Sequence, residues 1–113
     1  MAAGYQELFL EQGSDYTTTI TLNDVDGTPF DLSNITGKSQ IRKSYYSSNP
    51  TAEFVITISD PTTGVLGITL DSANTANIAA GRYVYDVVIK TESNVKTRVL
   101  EGIVNVLPQV TVF

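Results

Sequence analysis

From Tyr16 to Asn23 the chain alternates without a break: Tyr16, Thr18, Ile20 and Leu22 share one side, Thr17, Thr19, Thr21 and Asn23 the other. A period of two predicts a strand with one face toward a core, its threonines presenting β-branched stems and hydroxyls to water. Similar runs recur between short turns. Tyr5 to Glu11 comes first, closed by Gln12-Gly13-Ser14. Asp24-Val25-Asp26-Gly27 reads as a turn, and Thr28 to Leu32 as an edge piece, because Pro29 cannot donate into a central ladder. Ser39, Ile41 and Lys43 oppose Gln40, Arg42 and Ser44 in a strand ending near Tyr45. A polar loop then carries Tyr45 and Tyr46 as far as Asn49-Pro50. Strands led by Phe54, Ile56 and Ile58 and by Leu66, Ile68 and Leu70 flank the Asp60 to Gly64 turn. Asp71 to Ile78 suits one helical turn capped by Asp71 or Ser72.

The closing runs, Tyr83 to Thr91 and Thr97 to Leu107, settle the expected architecture. In Gly81-Arg82-Tyr83-Val84-Tyr85-Asp86-Val87-Val88-Ile89 the odd positions from Tyr83 share one face. A tyrosine just inside a late strand suits the corner of a Greek-key sandwich, tied by the phenol hydroxyl. Tyr83 is expected to hold that corner and Tyr85 to fill the core. Val99 to Leu107 is apolar on both faces, as in a strand that is central or pressed on a partner. No helical periodicity, repeat or linker interrupts the pattern. The expected fold is all-β: an immunoglobulin-like antiparallel β-sandwich of about seven or eight strands, one domain over residues 1–113.

Composition narrows the function. The 113 residues include no His, Cys or Trp, so Ser-His-Asp and Cys-His catalytic sets are impossible, and no motif supports another. An enzyme is not expected, nor any cofactor or metal. Asp24, Asp26 and Asp31 open like a calcium loop but lack its later ligands, and turn chemistry accounts for them. Asp60 and Asp71 read as solvated turn carboxylates. A net charge of −5 opposes a phosphate-tracking surface, and the one basic grouping seen along the chain is Lys38, Arg42 and Lys43. Nucleic acid is not an expected partner, and no apolar run suggests a membrane span. The N-terminus has no secretory pattern, which predicts synthesis in a cytoplasm and makes the sequon at Asn34-Ile35-Thr36 a chance match. Such a domain acts through surface shape. Tyr45 and Tyr46, the arm Met1 to Leu10 with Phe9, and the segment Gln109 to Phe113 with Val110, Val112 and Phe113 are the candidate partner-binding residues. The plainer alternative has one of the paired tyrosines facing inward and both terminal segments pairing within their own domain.

Four segments in order carry a family resemblance: Leu8-Phe9-Leu10-Glu11-Gln12-Gly13-Ser14-Asp15-Tyr16, Asp24 to Leu32, Gly81 to Val87, and Arg98 to Pro108. Together they resemble small virion proteins of tailed bacteriophages, including the N-terminal domain of the baseplate upper protein. The resemblance implies a sandwich that docks other virion proteins at the tail, baseplate or fibre attachment, in several copies per particle. It also implies a protein made in the bacterial host cytoplasm and located in the virion. The baseplate upper protein continues into a stalk, whereas this sequence stops at Phe113, so a bead or adaptor is expected. Capsid decoration is the alternative of the same class. A carbohydrate-binding module stacking host glycans on Tyr45 and Tyr46 is the alternative of another.

Overall fold

The computed structural model describes residues 4–23 and 26–112. Eight strands form in chain order: β1 (Gly4–Tyr5), β2 (Leu8–Glu11), β3 (Tyr16–Thr21), β4 (Thr36–Arg42), β5 (Ala52–Thr57), β6 (Val65–Leu70), β7 (Gly81–Lys90) and β8 (Lys96–Leu107). One helical turn, α1 (Ser72–Thr75), stands between β6 and β7. The strands follow the path β1-β8-β7-β4-β5-β6-β3, with β2 also on β8. β5 gives its first half to β4 (Ser39 opposite Phe54) and its second to β6 (Ile56 opposite Ile68). The sheet therefore curls over a single core, with β3, β6 and β5 facing β4, β7 and β8. This is the immunoglobulin-like sandwich.

Alternation builds the core as the sequence suggested. Ile20, Ile41, Leu66, Ile68, Leu70, Tyr83, Tyr85, Val87 and Ile89 all point inward and are buried. Threonines 17, 19 and 21 face solvent. The consecutive buried pair Val99 and Leu100 breaks the period because the β7–β8 register shifts between Val87 and Val88. Such a bulge turns one extra side chain to the same face. The outer side of β8 carries Lys96, Arg98, Glu101, Ile103 and Asn105, so the strand is not apolar on both sides: the bulge brings Val99 and Leu100 to the inner face together, and beyond it Gly102, Val104 and Val106 continue that face.

Three readings need correction. The first run is two strands, and both pair parallel with β8 (Leu8 opposite Val104, Gly4 opposite Leu100), so the sandwich is not wholly antiparallel. Thr28 to Leu32 forms no strand, only a bridge between Asn23 and Pro29; Asp31 closes a local turn instead, accepting from Ser33. The third strand begins at Thr36 and ends at Arg42, because Ser44 and Ser47 draw the backbone into a turn through their hydroxyls.

Candidate interaction surfaces

The molecule measures 45 × 30 × 22 Å, which gives it two separate ends. The register decides which loops meet at each. Arg42 lies opposite Val84, Gly81 opposite Val106, and Glu11 opposite Leu107. The loop after β4, the turn after β2, the α1 crossover and the segment after β8 therefore share one end. The loops after β3, β5 and β7 share the other.

The first end is laced together by the Gln12-Gly13-Ser14-Asp15 turn. Gln12 Nε2 donates to the Ile78 carbonyl at 2.7 Å, and its Oε1 accepts from Gln109 N at 3.2 Å. Thr75, fully buried, donates its hydroxyl to the Ser14 carbonyl at 2.9 Å. Asp71 caps α1 by accepting from Asn74 N at 2.9 Å, and Asp15 accepts from Ser72 N at 2.6 Å. A side chain that satisfies an orphan helix donor stabilises the turn by about 1 kcal/mol. Tyr83, 3 % exposed, donates to the Ala79 carbonyl four residues upstream at 2.7 Å, the geometry of a tyrosine corner.

Tyr85 is the tie between the parallel strands and the core. Its hydroxyl donates to the Gln6 carbonyl at 2.7 Å, and its ring meets Phe54 edge-on at 6.1 Å. Gly102 makes that approach possible, since a Cβ there would collide with the Gln6 carbonyl. Burial pushes the Tyr85 phenol far above its usual pKa, and negative charge developing on Tyr16 and Tyr5 would add to the shift. Tyr16 is also raised by burial, partly offset by its hydrogen bond with Thr18.

Exposed apolar side chains gather at the same end. Phe9 is 57 % exposed on the outer side of β2, and Tyr45 and Tyr46 are 64 % and 97 % exposed. Both tyrosines face out, so neither takes the inward position that the plainer reading gave one of them. Leu107, Val110 and Val112 extend the group beyond β8, at 44 %, 97 % and 72 % exposure. Phe113 and Met1 to Ala3 lie outside the described residues. The arm itself is not free: Leu8 and Leu10 are buried, and β1 and β2 pair within the domain. Of the described arm, Tyr5 on β1 and Phe9 on the outer side of β2 remain exposed.

The acidic turns of Asp26, Asp31 and Asp60 lie among the described residues. Asp24 lies outside them. The carboxylates of Asp26, Asp31 and Asp60 each turn onto their own loop, accepting from Thr28, Ser33 and Thr62. Those bonds, hydroxyl first and then backbone N–H, hold all three below the usual carboxylate range. No group of three potential metal ligands converges among the described residues.

The surface that sequence reasoning missed is basic. Six of the seven Lys and Arg residues (Lys38, Arg42, Arg82, Lys90, Lys96 and Arg98) occupy outward positions of β4, β7 and β8, where only Asp86 and Glu101 are acidic. Along the chain, only Lys38, Arg42 and Lys43 form a basic grouping. A shallow trough of about 580 Å³ runs over this face, floored by Val84 and Val88. Strand partners as far apart in sequence as Thr36 and Lys90 create the patch, so no local motif announces it.

At the level of sequence, no family model and no curated protein matches the chain. Among solved structures, the N-terminal domain of ORF48 of phage TP901-1 superposes with a TM-score of 0.53 at 12 % identity, over 94 % of this chain and 98 % of that one. CopC from Methylosinus trichosporium OB3b gives 0.47 at 13 % identity, over 100 % and 91 % of the two chains. The Lin-41 filamin domain gives 0.42 at 12 %, over 80 % and 81 %. The end-to-end likeness to the phage domain is one of fold.

Proposed function

We propose that this chain is a non-enzymatic structural module of a tailed-phage particle, an adaptor at the tail, baseplate or fibre attachment. One observation carries the reading: the fold is shared, end to end, with the N-terminal domain of a phage protein. The ordered motifs of the sequence point the same way, and the structure gives two of them physical work. Gln12 to Asp15 ties three segments at one end, and Gly102 with Tyr85 locks the parallel strands. Phe9, Tyr45, Tyr46, Val110 and Val112 supply exposed apolar and aromatic area at that end, the kind of surface that anchors protein–protein contacts.

The test is to label purified particles of the encoding phage with an antibody against the domain, comparing the parent with a deletion of residues 109–113. Label at the tail or baseplate, lost on deletion while the purified variant still folds, supports the adaptor. Label spread over the head replaces it with capsid decoration. An absence of label on any particle rules out the virion role.

A further inference from the structure

Lys90 and Lys96 are direct cross-strand partners at the end of the β7–β8 hairpin, and neither makes an ion pair among the described residues. Like charges placed opposite one another destabilise a sheet. Beside them stand Lys38 and Arg98, in register with Val88 on either side. The nearby carboxylates are engaged with the other two cations and leave the lysine pair alone. Asp86 and Glu101 both hold Arg98, at 3.2 and 3.1 Å, and Glu53 reaches Lys38 at only 4.0 Å. Glu92 at the hairpin tip joins no ion pair among the described residues. A chain of net charge −5 thus presents, at one end of one sheet, a basic patch with two unneutralised lysines around a half-buried valine.

The complementary surface is on the same molecule. The loop that bears Asp26 and Asp31 runs directly into Thr36, which lies in register with Lys90, so both surfaces belong to the same end. The Asp60 turn joins that loop through backbone bonds from Leu32 N to the Pro61 carbonyl and from Leu22 N to the Gly64 carbonyl. Asp26, Asp31 and Asp60 are exposed, and their local hydrogen bonds favour the ionised form and fix its direction. One end therefore carries cations on one sheet and fixed anions on the loops of the other. A two-fold axis through that end would set each patch against its opposite twice over.

We propose that a second copy of this chain docks on the β4–β7–β8 face, its Asp26, Asp31 and Asp60 loops meeting Lys90 and Lys96, with Lys38 beside them. A nucleic acid suits this face less well, because Asp86 and Glu101 interrupt the cationic rows. The pairing is a property of the purified chain and stands apart from the virion reading. It would leave the apolar end of each copy free for a different partner.

Sedimentation of the purified chain tests it. Dimer should form at about 0.05 M salt and weaken at least tenfold by about 0.5 M, where screening acts within a few ångströms. The variant Lys90→Glu/Lys96→Glu keeps a like-charged hairpin pair but reverses its sign, so it should remain folded and be monomeric. Asp26→Lys/Asp31→Lys should be monomeric as well, and an equimolar mixture of the two variants should recover a heterodimer. If the acidic-loop variant misfolds, the lysine reversal alone still decides. A chain that stays monomeric at low salt overturns the proposal, as does a dimer indifferent to salt and to both reversals. A monomer that binds poly-glutamate through Lys90 and Lys96 also overturns it, and would assign the face to a foreign acidic segment.

Discussion

Replacing Tyr85 by alanine tests how the parallel strands are held to the sandwich. The ring is 2 % exposed, so nearly its whole surface leaves water on folding. Large aromatic deletions in a core cost about 3–5 kcal/mol, the upper part where neighbours cannot collapse into the space. Here they cannot collapse easily. Phe54 meets the ring edge-on at 6.1 Å, and Gly102 beneath it has no side chain to swing inward. The hydroxyl bond to Gln6 accounts for about 1 kcal/mol of the total, which Tyr85→Phe isolates. For a domain of this size 1 kcal/mol corresponds to a melting shift of about 4 °C. Tyr85→Phe should therefore melt about 4 °C below the parent and Tyr85→Ala about 15 °C below it, read by thermal and urea unfolding with circular dichroism. An alanine variant melting within a degree of the parent would refute the assigned role of the ring. A phenylalanine variant as damaging as alanine would refute the division between ring and hydroxyl.

Three further outcomes are expected. Gln12→Ala removes both the Ile78 and Gln109 bonds, so it should lower stability by about 1–2 kcal/mol and raise hydrogen exchange around residues 109–112. The raised pKa of Tyr85 means the folded state favours the neutral phenol. That stabilisation is complete below pH 10, the unfolded value, and is lost as pH rises above it; an alkaline melting series should fall in the parent and fall less steeply in Tyr85→Phe, where the raised Tyr16 remains. Chelator should leave the melting temperature unchanged, and a rise of several degrees on adding calcium would show a site that the Asp26 and Asp31 turns do not account for.

Local chemistry determined much of this protein. Period-two alternation set the strands and their inward faces, Asp71 set the helical turn, and the position of Tyr83 just after Gly81 set the corner. Each is decided within a few residues by sterics or by a single hydrogen bond. What the tertiary structure decided is which strands meet. Nothing local in Leu8 to Glu11 tells a parallel pairing with β8 from an antiparallel one with β3, because the alternation is the same in both. Gly102 and Tyr85 favour the first by admitting the Gln6 carbonyl, and they lie about 80 to 100 residues along the chain from it. The basic face arose in the same way. Lys38, Lys90 and Arg98 look scattered in sequence, and only the register of β4, β7 and β8 sets them side by side, since charge acts through space and not along the chain.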